Sequence, residues 1–279
     1  MKTKRILTVQ DISCVGQCSL TVALPVISAC GAETCILPSA VLSNHTADKF
    51  HGFTFHDLTE EMSPIITKWA DEGIAFDAVY TGYLGSKRQI DLVLDAMTRC
   101  LVPGGLRIID PAMADGGKLY TGFDGAFVHE MKRLCAGADY LLPNITEACL
   151  LTDTPYQEQY DKVFVGRLCG KLHGLGAKNI ILTGVGFDEN STGVWISQQG
   201  DASYYRHDRE RQSRHGTGDI FASAFTGLLL TGKSAYDAAA AAADFVLACM
   251  RATNDDDDRW YGVHFEPVLP QLMKAVYGE

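Results

Sequence analysis

Short runs of aliphatic and β-branched residues alternate along the chain with longer stretches whose apolar positions recur every three to four residues. The runs Ile6–Ile12, Thr34–Pro38, Ala75–Tyr83, Leu106–Asp110, Tyr140–Leu142 and Asn179–Gly184 are short, and several are nearly all apolar. That is the pattern of strands covered on both faces. The longer stretches predict helices over Ser19–Cys30, Asp57–Asp71, Lys87–Leu101, Gly125–Leu134, Ile145–Thr152 and Asp161–Gly174. Such a rhythm predicts an α/β fold, a parallel sheet joined by right-handed crossovers. After Gly184 the rhythm changes. A hairpin, Val194–Ser197 and Ser203–His207 around Gln198-Gln199-Gly200-Asp201, is followed by helices over Thr217–Leu230, Ser234–Ala252 and Glu266–Tyr277. With no internal repeat, low-complexity segment or linker, residues 1–279 read as a single domain.

Several of these strands end in polar or aromatic groups: Asp11 and Ser13, Gly82-Tyr83, Asp110-Pro111, Pro143-Asn144 with Glu147 one turn on, and Thr183. In parallel α/β sheets ligands bind beyond the carboxyl ends of the strands. These groups are therefore expected to converge on one edge.

Composition narrows the partners. The net charge of -10 argues against general nucleic-acid binding, which needs a basic face. It leaves nucleotide binding open, because backbone amides and a metal can hold phosphates. The odd count of nine cysteines, with no CxxC and most in apolar runs, indicates buried free thiols of a reducing compartment. No apolar run approaches the roughly 18 residues of a membrane helix, and the N-terminus lacks a signal-peptide pattern, so a cytoplasmic protein without membrane contact is expected.

The chemistry centres on Gly216-Thr217-Gly218-Asp219, which opens the helix beginning Ile220-Phe221-Ala222. Two glycines let the backbone turn tightly and approach a ligand. The first amides of the helix then point outward at its positive end, an anion hole suited to a transferring phosphoryl group. Asp219 stands where it could take a proton from an attacking hydroxyl.

At this point the chain resembles the ribokinase-like kinases, and within them the pyridoxal kinases. The resemblance runs through Val9-Gln10 with Gly16 following, Ser43-Asn44-His45-Thr46, Gly82-Tyr83-Leu84-Gly85-Ser86, Asp110-Pro111-Ala112-Met113, Pro143-Asn144-Ile145-Thr146-Glu147 and Gly216–Asp219, in the family's order across nearly the whole chain. It implies a three-layer α/β/α fold with a mostly parallel central sheet and helices on both faces. It implies an enzyme that uses ATP to phosphorylate the 5′-hydroxymethyl group of pyridoxal, pyridoxine or pyridoxamine, with Mg²⁺, a monovalent cation and a homodimer. Asp219 would be the base, with Gly216, Thr217 and Gly218 supplying amides to the γ-phosphate. Asp110 and Glu147 would hold Mg²⁺ through water. Asp115, Tyr120, Asn144 and Thr183 would face ATP, alongside Asp110, Glu147, Thr217 and Gly218. Asp11, His45, Thr46 and Tyr83 would line the vitamin pocket. Residues 203–215, with arginines at 206, 209, 211 and 214, would form a lid.

The chain departs from the family where Asp11 replaces a serine, Ser19-Leu20 a Gly-Asn and Ala112 a valine. Three other readings have sequence arguments attached. A hydroxymethylpyrimidine kinase shares the fold and chemistry. A vitamin or nucleotide binding protein without catalysis would not need Asp219. A dehydrogenase lacks its GxGxxG after the first strand. Gly227–Ser234 fits the P-loop pattern letter for letter, but its context is helical, with Gly232 as a helix end and Ser234 as the next cap. The run Asp255–Asp258 reads as an exposed acidic loop, since four adjacent carboxylates cannot all face one ion.

Overall fold

The computed structural model describes residues 3–46, 49–198, 200–210, 214–254 and 256–278. Its first half alternates strand and helix. β1 (Arg5–Ser13), α1 (Leu20–Ala29) and β2 (Glu33–Leu42) are followed by β3 (Phe55–Asp57), α2 (Thr59–Asp71) and β4 (Phe76–Thr81). Then come α3 (Lys87–Cys100), β5 (Leu101–Ile109), a small hairpin of β6 (Ala114–Asp115) and β7 (Lys118–Leu119), and α4 (Gly125–Cys135). The second half contains β8 (Tyr140–Leu141), α5 (Ile145–Leu151), α6 (Lys162–Leu175) and β9 (Asn179–Leu182). β10 (Ser191–Gln198), β11 (Asp201–Asp208), α7 (Thr217–Leu230), α8 (Ala235–Thr253) and α9 (Leu269–Tyr277) complete it.

The large sheet runs β11-β10-β9-β8-β5-β4-β1-β2-β3. Its six middle strands are parallel, and β3, β10 and β11 are antiparallel additions at the two edges. Side chains alternate across it. Leu7, Val9, Val79 and Ile109 pack toward α2 to α6. Ile6, Ala78, Tyr80 and Ile108 pack toward α1, α7, α8 and α9. The result is the three-layer α/β/α arrangement expected, with β1 and β4 at its centre buried on both faces along most of their length.

Element boundaries moved for identifiable reasons. Asp161 is a cap rather than a first turn, its side chain accepting from Phe164 N (2.8 Å), whereas Ser234 is the cap expected of it, accepting from Asp237 N (3.1 Å). Asp57 belongs to the unforeseen edge strand β3, and its Oδ1 takes the Thr59 amide at 2.7 Å, so α2 begins two residues later. Leu101 begins β5 instead of ending α3: it pairs with Phe76, the next pair is Ala78 with Leu106, and the residues around Gly104 (φ +76°) bulge out between. The strands expected to reach Tyr83, Asp110 and Gly184 stop at Thr81, Ile109 and Leu182, so the chemistry-bearing groups lie just past the ladder. The P-loop-like run is helical through Leu230 and turns at Gly232 (φ +95°). All nine cysteines are free thiols, six of them buried.

Of the segment expected to form a lid, 203–208 is regular edge strand paired with β10, and 211–213 lie outside the described residues.

Candidate active site

Gly216 ends the approach to α7 in the left-handed region (φ +77°). An added Cβ there would lie 2.6 Å from Gln17 O, so both the conformation and the close approach require glycine. The first helical hydrogen bond of α7 is Ile220 N to Gly216 O at 3.0 Å. The amides of Thr217, Gly218 and Asp219 belong to the open first turn and carry its positive end. Asp219 is half-buried there, and its Oδ2 accepts the Ser19 amide at 3.0 Å.

Three more acids gather at the same rim. Asp11 is buried at a bulge of β1, where the register with β2 slips between Gln10 and Ile12. Bulges re-aim side chains in this way. Asp110 follows β5, and its amide donates to Thr81 O at 3.1 Å. Glu147 is 2% exposed in the first turn of α5. Among the described residues no lysine or arginine forms an ion pair with any of the four. Their acidities follow. Burial, with Asp11 nearby, pushes Asp219 up to about 6 against the Ser19 amide. Burial pushes Glu147 up to about 7 although three amides hold its charge. Burial first, then Glu147 and Asp219, raise Asp110 well above the ordinary range. Burial raises Asp11 against its Ser19 and Ser13 partners.

Glu147 is the most connected of the four carboxylates. It forms a capping box with Asn144: Asn144 Oδ1 accepts Glu147 N and Glu147 Oε2 accepts Asn144 N, each at 2.9 Å. Glu147 Oε1 also accepts Met113 N at 3.0 Å, while Asn144 Nδ2 donates to Ala114 O at 2.8 Å. Asn144 thus frames the site with both ends of its amide. Thr183 bridges to Asn144 across the sheet and donates to Pro143 O at 3.3 Å. Asp115 is exposed on the β6–β7 hairpin. Tyr120 follows that hairpin with an exposed ring, and burial of its hydroxyl near Glu147, Asp110, Asp115 and Asp219 holds its proton firmly.

On the other side Tyr83 stacks on Phe123 (centroids 5.5 Å), which stacks on Phe127 at 4.0 Å. Burial and the charge of Asp11 raise Tyr83, which puts the two in one electrostatic neighbourhood. His45 is buried, with Nε2 donating to Tyr261 O at 2.7 Å, and lies so close to Gly16 that any Cβ there would overlap its Cδ2. It therefore ties three loops together. Thr46 is exposed. Phe50, Trp260 and Tyr261 pack beside His45, with Phe50–Trp260 at 4.6 Å. A pocket of about 220 Å³ between residues 14–17, Thr21, Arg259 and Tyr261 adjoins this cluster and contains none of the four carboxylates.

Sequence reasoning missed the Ser19 amide, the Met113 amide on Glu147, and the Arg259–Tyr261 wall. Backbone donors and distant segments leave no motif. One trace was available at Ser19, where the resemblance leads one to expect a glycine: its φ of +56° with ψ −128° is a conformation suited to glycine. The arginines differ in placement. Arg206 faces Asp188 at 3.6 Å, Arg209 lies against Gly186, and Arg214 donates to Thr253 O and Arg259 O at 3.2 and 3.3 Å. Arg211 and Asp255 are outside the described residues. Asp256 pairs with His264 at 2.7 Å, which gives one member of the acidic run a structural partner.

A ribokinase-like sheet with a glycine-capped helix, a carboxylate in its first turn and further acids along the carboxyl edge defines a small-molecule kinase class. The family model described as phosphomethylpyrimidine kinase matches residues 24–261, and the chain belongs to that family. It is similar to a Bacteroides thetaiotaomicron protein assigned provisionally as a phosphomethylpyrimidine kinase and crystallised with pyridoxal. Identity is 40%, with 97% of this chain and 96% of that one covered and a TM-score of 0.90. The pyridoxal kinase of Lactobacillus plantarum is 30% identical over 97% and 96% of the two chains, with a TM-score of 0.88. Among curated relatives, the Dictyostelium discoideum pyridoxal kinase is 25% identical over 69% of this chain. The chain spans 63% of the length of that relative and 59% of an Arabidopsis thaliana pyridoxal kinase. No helix among the described residues is long and apolar enough to cross a membrane.

Proposed function

We propose that the chain transfers the γ-phosphate of ATP to the 5′-hydroxymethyl group of pyridoxal, pyridoxine or pyridoxamine. The observation that carries this is Asp219, held by the Ser19 amide in the first turn of α7 beside open helix amides at the carboxyl edge of the sheet. Asp219 accepts the proton of the hydroxymethyl group as its oxygen bonds to the γ-phosphorus and the bond to ADP breaks. The amides of Thr217 and Gly218, with Gly216 making their turn, neutralise charge on the phosphoryl oxygens. Tyr83, on its aromatic stack, offers a ring face to the pyridine, and Asp11 a carboxylate to its polar edge.

The donor set fits Mg²⁺. Asp110 and Glu147 are hard oxygen donors without a cationic partner, and among the described residues no three His, Cys, Asp or Glu side chains converge to grip an ion directly. They would hold it through its waters. Bound there, magnesium supplies charge neutralisation to the phosphates. Asp115, Tyr120, Asn144 and Thr183 frame the nucleotide. The same reading carries a homodimer, to be checked by light scattering.

The Bacteroides relative crystallised with pyridoxal and the Lactobacillus pyridoxal kinase support the vitamin as acceptor. The family model's description favours a second acceptor, hydroxymethylpyrimidine. Side-by-side turnover of the three vitamers and hydroxymethylpyrimidine with Mg-ATP, followed by ADP release, decides. Faster turnover of the pyrimidine would displace the B6 reading, and no ADP from any acceptor would end both.

A further inference from the structure

Tyr83 stands on the loop 82–86, between β4 and α3. Both ends of the loop are tied to regular structure: Gly82 N donates to Val9 O at 3.2 Å, and Ser86 caps α3 by accepting Gln89 N at 3.3 Å. The middle is held by a side chain from the first turn of α3. Gln89 is 1% exposed. Its Oε1 accepts Gly85 N at 2.7 Å, and its Nε2 donates to Ser39 O at 3.0 Å and to Thr59 Oγ1 at 2.9 Å. Gly85 lies between Gln89 and the tyrosine ring: a Cβ there would stand 3.7 Å from Gln89 Oε1 and 3.9 Å from Tyr83 Cε1. Ser39 Oγ also donates to Tyr83 O at 3.4 Å.

These bonds allow the Gln89 amide one orientation. Asp57 Oδ1 accepts both the amide and the hydroxyl of Thr59, so the hydroxyl proton is committed and Thr59 Oγ1 faces Gln89 as an acceptor. The Thr59 hydroxyl in turn holds the Asp57 carboxyl below its ordinary range, which keeps that end of the network charged. Ser39 O can only accept, and it takes Leu58 N at 3.0 Å as well. It is free of the ladder because the strands are irregular there: Gln10 pairs with Pro38 and Ile12 with Val41, which sets Ser39 and Ala40 opposite Asp11. Exchanging the two ends of the Gln89 amide would set its NH₂ against Gly85 N–H and its oxygen against Ser39 O. Buried groups opposed in that way are costly, so the side chain is locked.

We propose that Gln89 is a positioning residue for Tyr83: through Gly85 N, and through Ser39 to Tyr83 O, it sets how far the ring reaches toward the acceptor that stacks on it. The inference rests on the reading of Tyr83 as the acceptor's platform. Phe123 supports the ring from its own side, and the loop bonds fix the backbone that carries it. On the nucleotide side Asn144 and Glu147 are held by α5, Met113 and Ala114 instead. Loosening the Gln89 network is therefore felt by the acceptor and not by ATP.

The experiment measures pyridoxal binding by titration calorimetry without ATP, and Mg-ATP-dependent turnover of pyridoxal. The proteins are wild type, Gln89→Met, Ser39→Ala, Tyr83→Ala and the combination of Tyr83→Ala with Gln89→Met. Gln89→Met is expected to raise the dissociation constant and KM for pyridoxal about tenfold, with kcat within about threefold and KM for ATP within about twofold. Ser39→Ala removes only the hydroxyl on Tyr83 O. It is expected to raise the pyridoxal constants about threefold, and it carries the test if Gln89→Met does not fold. In the Tyr83→Ala background Gln89→Met is expected to add less than about twofold, because its effect passes through that ring. An unchanged pyridoxal dissociation constant in either single variant overturns the proposal, as does a matching rise in KM for ATP or a loss that multiplies in the double variant. Wild type that binds pyridoxal without phosphorylating any acceptor would end the kinase reading and leave the binding arm to decide this one. Wild type that binds no pyridoxal overturns the proposal.

Discussion

The Ser19 amide and the Asp219 carboxylate, 200 residues apart in sequence, meet in a 3.0 Å hydrogen bond. The bond ties the loop after the first strand to the first turn of α7. Asp219→Asn keeps an oxygen for that amide but removes the base. The expected result is a fall in kcat of roughly 10²- to 10⁴-fold, with vitamer binding by fluorescence titration almost unchanged. Retained turnover would remove Asp219 from the mechanism.

Burial pushes the Asp219 carboxyl up to about 6, and only its ionised form can take a proton. The profile of kcat/KM for the vitamer should therefore rise as pH increases through about 6. A flat profile between pH 5 and 7, on a substrate whose own ionisation has been accounted for, would contradict this.

Stability carries the opposite sign. A carboxyl whose folded pKa lies above its unfolded value binds more protons when folded, so its contribution falls as pH rises between the two values. For Asp219 that window runs from the ordinary carboxyl value of 3.8 to about 6. Asp219→Asn should be more stable than wild type at pH 7.5 in urea melts, with the advantage shrinking toward pH 5. Equal midpoints at both pH values would mean that the carboxylate is not strained by its surroundings.

Ser19 sits at φ +56°, ψ −128°, where a side chain is strained. Such conformations cost on the order of 1–3 kcal/mol. Ser19→Gly should relieve part of this and raise the urea midpoint. It should also raise the proton affinity of Asp11, which loses a hydroxyl partner. A lowered midpoint would show that the Ser19 hydroxyl outweighs the strain.

Asp11 departs from the serine that the resemblance to pyridoxal kinases leads one to expect. Asp11→Ser is expected to change the ranking of kcat/KM among pyridoxal, pyridoxine and pyridoxamine, because a buried carboxylate favours a cationic partner more than a hydroxyl does. An unchanged ranking in the vitamer panel would show that Asp11 does not touch the acceptor.

Alternation of buried strand and amphipathic helix was enough to expect the parallel sheet, its two helical layers, and α7 from Thr217 to Leu230, because both periods are local properties of the chain. The motifs placed Asp219, Asp110, Asn144, Glu147 and Thr183 on one edge for the same reason: each lies just past a strand or at a helix start. Folding decided what those groups touch. His45 is held by Tyr261, Asn144 is occupied by its own helix and Ala114, and Asp219 is gripped by a backbone amide from the far end of the chain. Backbone donors and long-range neighbours have no sequence signature, since any residue type supplies an amide and only the closed fold selects which one arrives.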